Sequence, residues 1–302
     1  MSWNLKTVPS QNGKIAIVTG ANIGLGFETS KALARKGVEV IMACRNMVKA
    51  EDAKASILAE NPNAKLTLMT LDLNDFASVK SFASSFMEKH SKLDFLINNA
   101  GIMMPPFQKT KDGFESQFGV NYLSHFLLTG LLIDVLKETK DSRVVTLSSM
   151  AHKWGDIQFD DYNFEKGYDK RAAYGQSKLA CLMFAYELQR KLEKHGINAT
   201  SLAAHPGVSD TNLGKHMPRF VQGLAKIIGP LFFNSAAGGS LPTLRAALDE
   251  NAKGGEYYGP DGNREMKGNP VKVDSNDNSK DPEKAAKLWK LSEKLTGIKY
   301  LD

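Results

Sequence analysis

The chain has 302 residues, 42% of them hydrophobic and 24% charged, which is ordinary globular composition with enough length for a sizeable core. The formal net charge is +6, yet Lys and Arg alternate with acids and form no basic run. Nucleic acid is therefore a poor fit as a partner, and the excess cations suit a small anionic ligand instead.

In chain order, Met1 to Gly13 is polar and holds no apolar signal-peptide segment, so a cytoplasmic location is expected. Lys14 to Thr19 is a short β-branched run, the pattern of a buried parallel strand. It enters the turn Gly20-Ala21-Asn22-Ile23-Gly24-Leu25-Gly26, and Phe27 to Lys36 then reads as a helix ended by Gly37. Glycines let the backbone approach a pyrophosphate, and the helix N-terminus offers that anion unpaired N–H groups. The spacing is Gly-x-x-x-Gly-x-Gly, not the Gly-x-Gly-x-x-Gly of ordinary dinucleotide sites, so a tight turn without a ligand stays open on this evidence alone. Val38 to Ala43 is a second strand. It runs into Cys44-Arg45-Asn46 with no acid to hold a ribose 2′-hydroxyl. Arg45 stands where a cation meets a 2′-phosphate, which points to NADP(H).

Met47 to Glu60 is a helix, and Lys65 to Leu71 is a third strand leading into Asp72-Leu73. Asp75 to His90 is a helix with Asn74 as its expected N-cap. Leu93 to Ile97 is a fourth strand, followed by Asn98-Asn99-Ala100-Gly101. This alternation predicts an α/β fold, a single doubly wound parallel sheet with helices on both faces. Ligands of such sheets lie beyond the carboxyl ends of the strands, where the glycine turn, Arg45, Asp72 and Asn99 all fall.

Phe114 to Thr139 reads as one long helix carrying Asn121, and Arg143 to Leu147 as a fifth strand ending in Ser148-Ser149. Met150 to Arg171 is a polar loop over the same edge. Its aromatics Trp154, Phe159, Tyr162, Phe164 and Tyr168 serve either a pocket for a flat or apolar substrate or a small core of the loop's own. Ala172 to His195 is a helix closed by Gly196, and Ile197 to Ala204 is a sixth strand leading into His205-Pro206-Gly207-Val208. The apolar stretch Phe220 to Phe233 is too short for a membrane span and is interrupted by Gly223, Lys226, Gly229 and Pro230. Ser235 to Asp249 is a helix despite Pro242, Glu256 to Tyr258 a short strand, Gly259 to Lys280 loops, and Pro282 to Leu295 a terminal helix capped by Asp281. No linker marks a second domain, so residues 1–302 read as one catalytic domain with its core at 14–258 and a C-terminal extension at 259–302. The two cysteines, Cys44 and Cys181, lack ligand spacing and no His-x-x-x-His pair occurs, so no metal is expected.

Tyr174 and Lys178 lie four apart within the helix at 172–195, on one face and one turn from each other. An ammonium beside a phenol favours the phenolate and suits it to proton transfer near neutral pH. Tyr162 and Lys166 have the same spacing but fall in loop, where it aligns nothing.

Together these motifs resemble the short-chain dehydrogenase/reductase family over about Lys14 to Tyr258: the glycine turn from Thr19 to Gly26, Asn98 to Gly101, Asn121, Ser149, Tyr174 through Lys178, and Pro206-Gly207. The Ala43 to Asn46 stretch and His205-Pro206-Gly207 look most like its retinol-dehydrogenase and protochlorophyllide-reductase-like group. The resemblance implies NADP(H)-dependent interconversion of a carbonyl and an alcohol on a small-molecule substrate. Tyr174 would be the acid/base, Lys178 its partner and a ligand of the nicotinamide ribose, Ser149 (rather than Ser148) the group that polarises the carbonyl, and Asn121 the holder of a relay water. Strand alternation adds that Ser148 and Ser149 cannot both face the site. Gly20, Asn22, Ile23, Gly24, Gly26, Arg45, Asn46, Asp72, Leu73, Asn99, Ala100 and Gly101 would line the cofactor. Pro206, Gly207, the Val208 backbone and Thr211 would hold its carboxamide and phosphate. Residues 209–233 fall where the family keeps a substrate lid, and a homodimer or homotetramer through the two long helices is implied. The competing readings are a light-driven double-bond reductase of the protochlorophyllide type and an NADP(H)-sensing regulator or scaffold without turnover.

Overall fold

A computed structural model describes residues 3–208 and 234–302. The strands are β1 (Ile15–Thr19), β2 (Glu39–Cys44), β3 (Leu66–Thr70), β4 (Phe95–Asn98), β5 (Ser142–Leu147), β6 (Ala199–Ala204), β7 (Tyr257–Pro260) and β8 (Pro270–Val273). They form one eight-stranded sheet in the order β3-β2-β1-β4-β5-β6-β7-β8. All neighbours pair in parallel except β7 and β8. The principal helices are α1 (Gly24–Arg35), α2 (Met47–Glu60), α3 (Phe76–Met87), α4 (Ser116–Phe118), α5 (Ser124–Leu131), α6 (Ile133–Glu138), α7 (Lys170–Lys194), α8 (Ala236–Leu248), α9 (Asp277–Lys280) and α10 (Pro282–Thr296).

Period-two alternation sorts the strand residues between two cores. Ile15, Ile17, Ile41 and Ala43 join the side that holds Phe82, Phe126, Leu179 and Leu288 from α3, α5, α7 and α10. Ala16, Val18, Val40 and Met42 join the side that holds Leu33, Ile57 and Leu244 from α1, α2 and α8. A strand covered on both faces carries no polar side, which is why Ile15 to Val18 of β1 and Val40 to Cys44 of β2 are unbroken apolar runs in the sequence.

Three expectations need correction. The N-cap of α3 is Asp75, whose Oδ1 accepts the Ala77 N–H at 2.9 Å. Asn74 is spent one residue earlier, donating its N–H to Asp72 Oδ1 in a side-chain turn. The long helix read over 114–139 is broken: a π turn over Gly119–Leu123 separates α4 from α5, and Leu132 separates α5 from α6. The π turn has a local cause. The Asn121 carbonyl takes His125 Nδ1 at 2.9 Å and Cys181 Sγ at 3.2 Å, side-chain insertions that open the regular ladder. Finally, residues 259–280 are not all loop, since β8 extends the sheet at its edge and α9 follows. Pro260 and Pro270, opposite each other at one end of the β7–β8 pairing, hide the strand signal, and an edge is where sheets tolerate them.

The C-terminal segment covers the long helices. Trp289 packs edge-on against Phe126 at 5.0 Å and stacks on Phe184 at 5.9 Å. Tyr300 lies 5.0 Å from Phe126 and donates its hydroxyl to the Phe126 carbonyl at 3.2 Å. Lys191 Nζ holds the Leu301 carbonyl at 2.8 Å. No helix among the described residues is long and apolar enough to cross a membrane. Trp289 is almost fully buried in this aromatic cluster. Trp289→Ala should therefore lower the unfolding free energy by about 3–5 kcal/mol in urea denaturation.

Candidate active site

The order β2-β1-β4 reverses the direction in which the sheet is built, and a crevice opens outside the strand ends at that point. β1 ends at Thr19 and the chain turns through Gly20 with φ at +67° and Gly24 at +59°, conformations that favour glycine. α1 begins at Gly24 with Ile23 before it and no side chain capping its first turn, so those N–H groups are left facing the crevice. A cleft of about 520 Å³ follows. Its lining contains Gly20, Asn22, Ile23, Gly24 and Gly26, then Arg45 and Asn46, Asp72 and Leu73, and Asn99, Ala100 and Gly101.

These residues suit a dinucleotide. The uncapped helix end and glycine cradle match a pyrophosphate. Asn99 donates its side-chain amide to the Thr19 carbonyl at 2.7 Å, which leaves its buried Oδ1 without a protein partner. Arg45 is 73% exposed, with Nη1 4.0 Å from Asp72 Oδ1, so its guanidinium is steadied at the rim while remaining open to an anion. Asn46 caps α2 by accepting the Lys49 N–H at 3.0 Å, which turns the Lys49 side chain onto the cleft as well. Cys44 lies beneath, its thiol pushed up to about 11 by burial.

A second pocket of about 240 Å³ shares Leu25, Asn99, Gly101 and Ile102 with the first, so the two form one continuous groove. Tyr174, Lys178, Ser148, Ser149, Pro206, Gly207 and Val208 converge on it. Tyr174 and Lys178 lie one turn apart on α7, which is held at its start by Asp169 accepting the Arg171 and Ala172 N–H groups. The buried Lys178 ammonium donates to the Leu147 carbonyl at 3.0 Å. Both serines border the pocket, contrary to the alternation expected of them. β5 ends at Leu147, and Ser148 makes the last ladder bond, its N–H donating to the Ala204 carbonyl at 2.8 Å, before the chain turns at Met150. Their bonds differ: Ser148 Oγ donates to the Lys178 carbonyl at 2.8 Å, whereas Ser149 Oγ accepts the Ala151 N–H at 3.2 Å and so keeps its own proton to give. Asn121 is one shell further in. Its Oδ1 accepts the Ile102 N–H at 2.8 Å, and its Nδ2 donates to the Ile102 carbonyl and Ser177 Oγ. Tyr162 packs against Phe118 in the core, away from the pocket.

The loop aromatics divide between the two roles left open for them. Trp154 lines the pocket with its ring 6.4 Å from Tyr174 and Arg171 above it, Phe159 and Tyr162 pack against the core, and Phe164 and Tyr168 meet edge-on at 6.3 Å beside Phe107, away from the groove. The strand-end loop is braced by the C-terminal extension. Val208 N–H donates to the Met266 carbonyl and its carbonyl accepts from Asn234 N–H, each at 2.9 Å, so only a second lone pair of that carbonyl is left for a ligand. His205 Nε2 lies 2.8 Å from Glu265 Oε2, and the imidazole beside it holds that carboxyl below the usual range. Thr211 and the lid expected at 209–233 lie outside the described residues. Among the described residues no cluster of His, Cys, Asp and Glu could hold a metal ion.

The short chain dehydrogenase family profile matches residues 14–221. The chain belongs to this family. It is 40% identical to mouse retinol dehydrogenase 12 over 290 residues, covering 95% of this chain and 88% of that protein. It is 41% identical to human polyprenol dehydrogenase over 255 residues, covering 83% of this chain and 77% of that one. A crystal structure of an uncharacterised protein from Mycobacterium paratuberculosis superposes with a TM-score of 0.82 at 39% identity, over 99% of both chains. This short-chain dehydrogenase is thus a nicotinamide-dependent oxidoreductase of the retinol-dehydrogenase-like group acting on a small molecule.

Several lining residues carried no motif. Lys49 lies in the first turn of α2, whose cap Asn46 already borders the cleft, a signal available from the helix start. Met103, Met150 and Gln108 reach the groove only through the folding of loops and had none. Glycine also matters where nothing turns. A Cβ on Gly101 would stand 3.1 Å from Asn121 Oδ1 and 3.5 Å from Lys178 Nζ. A Cβ on Gly26 would collide with the Gly20 carbonyl and Asn99 Nδ2. Gly26→Ala should therefore weaken nicotinamide-dinucleotide binding at least tenfold in a fluorescence titration, because backbone, not a flexible side chain, must yield.

Proposed function

We propose that this short-chain dehydrogenase uses NADP(H) to interconvert a carbonyl and an alcohol on an apolar substrate, with Tyr174 as acid/base. The observation that carries the reading is the convergence of Tyr174, Ser149 and Lys178 on a pocket continuous with the glycine cleft. The groove has room and donors for the dinucleotide, with Gly20, Asn22, Ile23, Gly24 and Gly26 at the pyrophosphate and Asp72, Leu73 and Asn99 along the adenosine. Arg45, Asn46 and Lys49 sit together at the 2′-phosphate position, and two cations with no acid at the strand end favour NADP(H) over NAD(H).

When bound, the nicotinamide supplies or accepts the hydride. In the reducing direction Tyr174 donates its phenolic proton to the substrate oxygen, and the Ser149 hydroxyl gives the same oxygen a second hydrogen bond. Both bonds strengthen as charge builds there, which is where stabilisation accelerates the step. Lys178 lies one turn from Tyr174 and would hold the nicotinamide ribose. Asn121 Oδ1 and Lys178 Nζ both flank Gly101, a position from which a relay water can reprotonate the pair. Pro206, Gly207 and the Val208 backbone close the far wall at the carboxamide.

Ile102, Met103, Met150 and Trp154 give the substrate side an apolar wall. That agrees with a retinol- or polyprenol-like class, the substrates named for two relatives. The intact set of Asn121, Ser149, Tyr174 and Lys178 weighs against a regulator without turnover. Cys181 is buried and bonded to the Asn121 carbonyl, which removes it as a proton donor for double-bond reduction. The chain folds as one catalytic domain, and any homodimer or homotetramer is built on surfaces other than the faces covered by α10.

Tyr174→Phe should abolish turnover of aromatic and isoprenoid aldehydes, followed by NADPH absorbance, while the NADPH dissociation constant stays within about threefold of wild type. Arg45→Ala should raise the NADPH dissociation constant roughly tenfold and leave that of NADH unchanged. Tighter binding of NADH by the wild-type protein would contradict the cofactor assignment.

A further inference from the structure

His125 is fully buried between the cofactor loop and the catalytic residues, and no motif singles it out. Its ring spans two elements that do not otherwise share a hydrogen bond. Nδ1 lies 2.9 Å from the Asn121 carbonyl, and Nε2 lies 2.9 Å from Thr19 Oγ1. Thr19 Oγ1 in turn accepts the N–H groups of Asn99 and Ala100, both at 2.9 Å. The chemistry of these groups admits one arrangement of protons. A carbonyl only accepts, so Nδ1 carries the hydrogen. Nε2 is then a lone pair, and the Thr19 hydroxyl donates to it. The oxygen of that hydroxyl keeps two lone pairs, and two N–H donors fill them. The one competing acceptor for the hydroxyl, the Ile97 carbonyl, is farther away at 3.4 Å.

We propose that His125 is a positioning residue that couples the cofactor-binding edge to the catalytic set, fixing Thr19, the Asn99-Ala100 loop and Asn121 through a single neutral tautomer. The consequences follow from where each bond lands. Thr19 is the last residue of β1 and immediately precedes Gly20, while Asn99 and Ala100 form the floor of the dinucleotide cleft. Asn121 clamps Ile102, which lines both halves of the groove, and reaches Ser177 beside Lys178. Burial and the nearby Lys178 charge hold the imidazole neutral, with its titration lowered to about 4. A charged ring would have to donate from both nitrogens, and the Thr19 hydroxyl would then lose one of its two N–H partners or its own acceptor. The bonds are buried, so a broken arm leaves an unpaired polar group in the core.

The kinetic part of this proposal rests on the NADP(H) oxidoreductase reading; the tautomer does not. Long-range proton–nitrogen NMR of the full-length protein labelled in histidine nitrogens should show one ring, absent from His125→Phe, with the hydrogen on Nδ1 and a bare Nε2. A hydrogen on Nε2 overturns the network. Thr19→Val cuts only the cofactor arm and should raise the NADPH dissociation constant roughly tenfold with a much smaller loss of kcat. His125→Phe cuts both arms and should raise that constant and lower kcat together. His125→Asn restores a donor to the Asn121 carbonyl without reaching Thr19. It should recover most of the kcat lost in His125→Phe and leave the NADPH dissociation constant raised. A set of variants that loses melting temperature alone, with kcat and the dissociation constant unmoved, overturns the coupling. Absence of NADPH binding by the wild-type protein overturns the functional reading instead, and the tautomer measurement still judges the network.

Discussion

The hydrogen-bonded registration of β1 between β2 and β4 is the constraint on which the rest of the molecule depends. Ile17 pairs with Ile41 on one side and with Leu96 on the other. That double registration brings three strand ends level: Thr19, Cys44 and Asn98. The residues that follow them, Gly20, Arg45 and Asn99, therefore open onto one crevice although they are far apart in the chain. A slip of one residue in β1 would turn its apolar set to the wrong faces of a sheet buried on both sides, so packing enforces the register that the site needs.

The second organising feature is the way polar groups are carried into the interior next to that crevice. Lys178, Asn121, His125, Thr19 and Ser148 are all nearly or fully buried, and each has a partner of fitting donor or acceptor character. Desolvated groups that are fully paired are rigid, since moving any one of them strands another. The π turn at Gly119–Leu123 belongs to the same system: it frees the Asn121 carbonyl from the regular helix ladder and hands it to His125 and Cys181. What looks like an irregularity in a long helix is the means by which the helix reaches the site.

The C-terminal extension acts on the fold from two sides. Trp289 and Tyr300 close the aromatic core over α5 and α7. Glu265 and Met266 brace the loop that carries Gly207 and Val208, through His205 and through the Val208 N–H. Neither contact follows from local pattern. Trp289 reads only as the apolar face of an amphipathic helix, and Glu265 lies in a loop with no periodicity at all.

Much of the site was legible because its parts are local. The glycine turn, the Tyr174 to Lys178 spacing on one helix face, the strand-end position of Arg45 and the absence of an acid beside it are properties of a few adjacent residues. The doubly wound parallel sheet was legible in outline because alternating β and α elements admit few right-handed arrangements. The cap of α3, the break at Asn121, the strand at Pro270–Val273 and the second serine at the pocket were not legible: Asp72 draws Asn74 away from the cap, Cys181 reaches the Asn121 carbonyl from another helix, Pro270–Val273 pairs with Tyr257–Pro260, and the serines lie where β5 itself ends. The sequence by itself determined the fold class, the family and which residues gather at the strand-end groove, since periodicity and short motifs set those through local sterics. Only the tertiary structure decided what His125 touches, which of the loop aromatics lines the pocket and what covers the long helices, because buried hydrogen bonds and core packing join residues whose proximity no local pattern encodes.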